Sequence, residues 1–217
     1  HMPDLYLIKF NNDLEIQWFK VLAGVYQDDC RGIDISDDLF IYLSMKDYHY
    51  YDISDGDEQE FNCSHNDLRA TNNTLMKLDP EGNLIWQFDM INDQEGTLDI
   101  YNTIVGKDGF IYITGEASHD LIIQGDTIIN PDIPGYSSEQ FIIQFDSEGK
   151  HHDAFFNPHR GFHTIYEWFD TDTEGNFYIS GRAFDTLKFE KDTINVNADS
   201  SFSFVARMNP SFEPDWI

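Results

Sequence analysis

The densest run of potential metal ligands in this sequence is Asp52-Ile53-Ser54-Asp55-Gly56-Asp57-Glu58-Gln59-Glu60. Calcium takes roughly six to eight oxygens, from carboxylates and from a tightly turned backbone. Asp52, Asp55, Asp57 and Glu60 could supply several of them around Gly56. The spacing is not that of an EF-hand loop, so a solvated acidic loop is the competing expectation. A second group sets tyrosines and histidines beside acids: Tyr26, Asp28 and Asp29, then Tyr48, His49 and Tyr50, then Asp93 and Glu95. With His159, Arg160 and His163, these suit contact with a glycan or a protein. Their rings give rigid area and their polar edges give hydrogen bonds. Edge packing is the alternative for the same rings. His151 and His152 adjoin Asp153, but neighbours on an extended strand point to opposite faces. Joint chelation of one zinc ion is therefore not expected.

Catalytic signatures are missing from the sequence. There is no Gly-x-Ser-x-Gly elbow, no phosphate-cradling glycine loop, no His-Glu-x-x-His and no Cys-x-x-Cys. With 40 Asp and Glu residues, a carboxylate pair at glycosidase separation arises by chance and carries little weight. A non-enzyme is expected.

Composition narrows the partners. The 217 residues carry 13 Lys and Arg, and the formal net charge is −27. Nucleic acid binding needs clustered cations to displace phosphate counterions, and an anionic membrane surface selects for the same. Neither is expected, and no apolar run is long enough for a membrane helix. Two readings of the acidity stay open, a heavily hydrated surface or a site for calcium or a cationic partner. Cys30 and Cys63 lack metal-ligand spacing and fit either a disulfide or two idle thiols. His1-Met2 reads as a vector-derived scar, so the absence of a leader says nothing about targeting.

The elements that must position these side chains announce themselves by repetition. One motif recurs as Leu7-Ile8-Lys9-Phe10-Asn11, Leu75-Met76-Lys77-Leu78-Asp79, Ile142-Ile143-Gln144-Phe145-Asp146 and Val205-Ala206-Arg207-Met208-Asn209. Counted from the polar third residue, the spacings are 68, 67 and 63 (77 − 9, 144 − 77, 207 − 144). Trp18, Trp86 and Trp216 follow nine residues later, while Asp153 takes that place in the third copy. A second motif lies between the copies: Phe40-Ile41-Tyr42-Leu43-Ser44, Phe110-Ile111-Tyr112-Ile113-Thr114 and Phe177-Tyr178-Ile179-Ser180-Gly181. Branched and aromatic residues in short runs predict strands. Turns such as Asp79-Pro80-Glu81-Gly82-Asn83 predict hairpins, with Asp bonding amides ahead of it and Gly supplying positive φ. Each period then holds four strands, A to D: A–B and C–D are joined tightly, and B–C by a long loop. The loops of copies two and three share a further hairpin around Leu121–Ile128 and Leu187–Ile194.

A four-stranded antiparallel unit at this period predicts the blade of a β-propeller. The succession Asp-x-x-Gly-Asn, aromatic-Ile-Tyr-Ile-Thr-Gly and a closing strand-turn-Trp segment resembles the SBBP repeat. It is clearest over Asn73–Trp86 and Tyr101–Gly115, and it extends over nearly the whole chain. The first copy departs by lacking Gly at its A–B turn, the third by lacking the tryptophan. The resemblance implies a bacterial secreted or cell-surface protein, of a kind common in Bacteroidetes. The expected fold is all-β: after scar residues 1–2, a half-blade at 3–22 and blades at 23–90, 91–156 and 157–217. Such a set reads as a fragment of a larger propeller, with self-association or further blades in the native chain. The expected function is binding or scaffolding, of a protein or glycan on the long-loop face. A lyase or glycosidase with an unrecognised carboxylate pair, or a spacer in an adhesin, is the alternative. Calcium is the one candidate cofactor.

Overall fold

The computed structural model describes residues 5–24, 29–47, 51–54, 72–92, 96–130, 138–156, 165–184, 186–189, 192–195 and 201–217. Among these the protein is all-β, with antiparallel pairing throughout and no helix. In chain order the strands are β1 (Leu5–Phe10), β2 (Ile16–Gly24), β3 (Asp29–Ile35), β4 (Ile41–Asp47), β5 (Tyr51–Ser54), β6 (Asn72–Leu78) and β7 (Leu84–Asn92). They continue with β8 (Leu98–Val105), β9 (Ile111–Ala117), β10 (Leu121–Ile123), β11 (Asp126–Ile128), β12 (Glu139–Phe145) and β13 (His151–Phe156). The last are β14 (Ile165–Thr171), β15 (Phe177–Phe184), β16 (Thr186–Phe189), β17 (Asp192–Asn195), β18 (Ser201–Met208) and β19 (Pro214–Trp216).

The repeat becomes a four-stranded meander three times over. β3-β4-β6-β7, β8-β9-β12-β13 and β14-β15-β18-β19 each run A-B-C-D, and β1-β2 supplies a preceding C–D pair. Register follows the motif residue for residue. Lys9, Lys77, Gln144 and Arg207 stand opposite Trp18, Trp86, Asp153 and Trp216, and a bulge follows each polar residue. Each A strand carries its own bulge, which leaves Arg31, Tyr101 and Glu167 with no residue opposite. The loop hairpin expected from sequence is present as β10–β11, and it adds to the outer strand of the preceding sheet through β10–β7 pairing. β5 adds to β2 in the same way. β16–β17 forms a two-stranded sheet of its own.

The core lies between successive sheets, in three clusters. Leu5, Leu7 and Trp18 of the first sheet meet Ile41, Leu43, Met76 and Leu78 of the second. Tyr42, Leu75 and Trp86 of the second meet Ile113, Phe141 and Phe145 of the third. Tyr112, Ile142 and Phe155 of the third meet Phe177, Phe204 and Phe212 of the fourth. The middle strands of the second and third sheets are therefore buried on both faces, with β9 and β12 covered at nearly every residue rather than at alternate ones. By contrast, β15 and β18 of the fourth sheet leave Tyr178 and Val205 exposed on one face.

The polar position of the motif ties the first junctions together. Lys9 Nζ and Trp18 Nε1 both donate to the Pro80 carbonyl, at 2.7 and 3.1 Å. One repeat later, Lys77 Nζ and Trp86 Nε1 donate to the Ser147 carbonyl, at 2.9 and 3.3 Å. Lys77 also sits over the Phe40 ring, 4.5 Å from its centroid. The third sheet breaks the pattern: Gln144 turns inward to the Tyr112 hydroxyl (2.9 Å).

Candidate functional site

Two neighbouring features can meet a ligand. The first is a polar rim at the end of the meanders where the B strands finish and the A strands begin. Asp29 opens β3 opposite Lys46, and Arg31, on the bulge, reaches back to Asp29 at 3.5 Å. Lys46 crosses to Asp99 at the start of β8, an ion pair between two sheets. On the β8 bulge, Tyr101 lies against Glu116 and Gln140. Burial first, and then the Glu116 charge, holds its phenol well above its ordinary range. Ser138 Oγ also donates to Glu116, at 3.0 Å. Arg31 and Lys46 are two of only 13 cations in a chain of net charge −27, which makes their meeting at one rim notable as an electrostatic feature.

The second feature is a groove of about 690 Å³ along the A strands, lined among others by Ile33, Asp34, Asn102, Trp168, Asp170, Tyr178 and Val205. Trp168 presents its indole almost free, at 72% exposure. It follows the bulge of β14, at the place held by Gly32 in β3 and Asn102 in β8. At Gly32 a β-carbon would lie 2.3 Å from the Thr103 amide, so no side chain fits where the next sheet packs close. Nothing among the described residues packs that way on the fourth sheet, and Trp168 stands in the open. Asp34 is already used in structure: its carboxylate accepts from Ile35 N and, across the junction, from Val105 N, both at 2.8 Å. Asp170 accepts from Thr171 N at 2.8 Å.

A further cavity of about 480 Å³ lies between the turns of the second and third sheets. Lys77, Lys107, Tyr42 and Glu148 are among the residues that line it. Burial, with Glu148 and Asp38 adding repulsion, pushes the Tyr42 phenol up to about 12. The carboxyl most shifted upward among the described residues is Glu139, held at about 7 by burial. It lines neither of these two cavities.

Of the residues singled out by sequence, Asp29 is placed in the rim beside Arg31 and opposite Lys46. Asp52 lies in β5 opposite Ala23 of β2. Tyr26, Asp28, Tyr48, His49, Tyr50, Asp93, Glu95, His159, Arg160 and His163 lie outside the described residues, as do Asp55, Asp57 and Glu60. No cluster of three or more His, Cys, Asp or Glu suited to a metal occurs among the described residues. Cys30 is a free thiol, its sulfur 3.9 Å from the Gly32 carbonyl. Sequence reasoning passed over Arg31, Lys46, Tyr101 and Trp168. The signal for Trp168 was available: it is the one tryptophan out of phase with the repeat.

No protein-family model and no curated protein matches this chain. Among solved structures, it is similar to a protein of unknown function from Bacteroides caccae. The two are 10% identical with a TM-score of 0.33, over 99% of this chain and 93% of that one. A likeness at that score carries no argument about fold or function.

Proposed function

We propose that this chain is a non-enzymatic binding or scaffolding protein, built of propeller blades of the SBBP type, that recognises another polypeptide. The observation that carries the reading is the groove beside Trp168. An exposed indole, Tyr178 and Val205 lie together on a sheet face that the repeat elsewhere buries. Aromatic anchors beside polar groups are the usual core of a recognition surface. Support against a hydrolytic role is that Asp34 is committed to backbone amides and that Glu139, the carboxyl held near 7, lines neither cavity. The resemblance to SBBP repeats adds a secreted or cell-surface setting to the proposal. One observation favours a glycan ligand instead: the flat Trp168 ring shares its groove with Asn102 and Asp170, a pairing of stacking surface and hydrogen-bonding edges.

Arrays of glycans and of purified surface proteins, probed with the chain and with Trp168→Ala, test both. The expected result is saturable capture of a protein that the variant loses while its melting temperature is unchanged. Capture of a glycan alone would transfer the proposal to the second reading. Turnover of a polysaccharide by the pure protein, abolished by one carboxylate substitution, would overturn the non-enzymatic one.

A further inference from the structure

Strand C has two sheet neighbours in three of its four copies. β6 lies between β4 and β7, β12 between β9 and β13, and β18 between β15 and β19. The fourth copy, β1, pairs with β2 on one edge, and no described residue pairs with the other. A free edge presents a row of backbone donors and acceptors to any strand that can reach it. The walls that enclose an A–B hairpin elsewhere are also bare here. Ile33 and Ile35 of β3 are exposed, whereas Thr103 and Phe169, at the place of Ile33 in β8 and β14, are buried. On the opposite side Trp168, Tyr178 and Val205 are exposed, and Ile33 lines the same groove as these three. Along β1 itself, Tyr6, Ile8 and Phe10 form an uncovered apolar row.

The geometry points to the free edge of β1 and the adjoining groove as the docking site for a β-hairpin supplied by another polypeptide. That hairpin completes the first sheet by strand addition. This rests on the reading of the chain as a binding protein and names the chemistry of its partner. The chain itself provides the template. In every complete meander the B-strand tyrosine faces the polar residue of strand C: Tyr42 opposite Lys77, Tyr112 opposite Gln144 and Tyr178 opposite Arg207. The incoming strand accordingly sets an aromatic residue opposite Lys9 and alternate apolar residues beside Tyr6, Ile8 and Phe10. Main-chain bonds supply affinity in this mode, and the side-chain pockets supply selectivity. No B strand of a second copy fits as donor, because β4, β9 and β15 are each already paired to their own strand C. Pairing of β1 with β1 of a second copy would instead show as a dimer of the protein alone in sedimentation, and would overturn docking of a foreign hairpin. The net charge of −27 favours a hairpin with neutral or basic flanks.

The probe is a labelled synthetic peptide of residues 98–117, the chain's own β8–β9 hairpin with Asp99→Asn and Glu116→Gln to leave its flanks neutral, titrated with the protein and followed by fluorescence anisotropy. Expected are saturable binding, slowed amide exchange over residues 5–10, and a loss of about tenfold or more with a scrambled peptide. Ile8→Asp, at a position already 43% exposed, should weaken binding to the same extent. N-methylation of the peptide needs no protein variant. On the second-strand amides that face β1 it should abolish binding, and on the first-strand amides of the hairpin's outer edge it should spare it, because only alternate amides face each edge. Absence of binding, equal binding of the scrambled peptide, equal effects of both methylations, or unchanged exchange at residues 5–10 would each overturn hairpin docking. Should that happen while Trp168→Ala still abolishes capture on the arrays, the binding role stands and only the hairpin falls.

Discussion

One residue position recurs at seven turns with the same backbone. Asn11, Asp79, Asp146, Asp172 and Asn209 each accept amides two and four residues ahead through Oδ1, at 2.8–3.0 Å. The residue three places on is left-handed: Gly82, Gly149 and Gly175, but also Leu14 (φ 61°) and Phe212 (φ 60°). Gly109 and Leu39 (φ 66°) hold that place at the other two A–B turns. A side chain with a β-carbon is strained there by about 1–2 kcal/mol, and part of any relief is offset by the greater freedom of unfolded glycine. Leu14, 80% exposed, gains nothing from packing, so Leu14→Gly should stabilise the protein by roughly 0.5–1 kcal/mol. Phe212→Gly should do the opposite. Its ring is buried and stacks on Phe177 at 4.9 Å and on Phe155 at 5.5 Å, and losing a packed Phe costs about 3–5 kcal/mol. Urea unfolding of both variants checks the pair, and destabilisation by Leu14→Gly would sink the strain argument. Glu139 gives a pH-dependent case. Its folded pKa is raised to about 7 by burial, so the folded state keeps a proton that the unfolded state has released. Its penalty on stability is absent below the ordinary Glu range, grows as pH rises towards 7, and is then constant. Glu139→Gln should therefore stabilise at pH 8 and lose that advantage by pH 4. An advantage equal at both pH values would remove titration as the cause.

In the first two repeats a strand of the long B–C loop ties one meander to the sheet before it. β10 leaves the third sheet's own connection and pairs with β7 of the second, burying Ile123 opposite Met90. The hairpin closes on Gln124 and Gly125, both at positive φ, the pairing that a two-residue turn with matching twist requires. Ile123→Ala should cost about 2–5 kcal/mol and speed amide exchange in residues 84–92. Exchange confined to residues 121–128 would mean that the hairpin is an ornament and not a tie. Sequence made this element visible, because Leu121–Ile128 and Leu187–Ile194 match. Its destination was hidden, since nothing in a strand's own pattern names the edge it joins. The four strands of each repeat and the out-of-step Asp153 were legible from spacing, because a fixed period places equivalent residues at once; β5, inside a stretch that reads as a long loop, was not. Tryptophan burial was not. Trp86 is only partly covered, by Phe88 and the turn at Gly149, and Trp216 is 46% exposed at the end of the stack. Equal positions in a repeat share backbone geometry, but they share burial only where a neighbouring sheet is present. The rim ion pair of Lys46 and Asp99 was illegible for a related reason: it joins side chains 53 residues apart that carry no motif.

For the whole molecule the dominant long-range term is charge. Forty acids against 13 cations leave a net −27 on 217 residues, and self-repulsion of that size opposes the folded state. Lys9 and Lys77 act against it locally, since each is held at a sheet junction and bonded to a turn carbonyl of the next sheet. Lys77→Met should thus cost about 1–3 kcal/mol through its lost bond to Ser147 and its lost cation–π contact. It also makes the chain more negative, so part of the deficit should be recovered in salt. Monovalent salt should raise the melting temperature of the parent protein progressively, because the Debye length falls to about 10 Å near 0.1 M and to about 3 Å near 1 M. A calcium site in the 52–60 segment predicts something different. A ligand that binds only the folded state stabilises with a logarithmic dependence on its concentration above Kd, and it does so at fixed ionic strength. Calcium and magnesium compared at constant ionic strength separate the two effects. Equal shifts leave screening alone. A calcium-specific rise, lost on changing Asp55 and Asp57 to Asn, places an ion in that segment. If neither salt nor divalent ions move the transition, repulsion is not what limits this fold, and the partial recovery of Lys77→Met in salt should vanish with it.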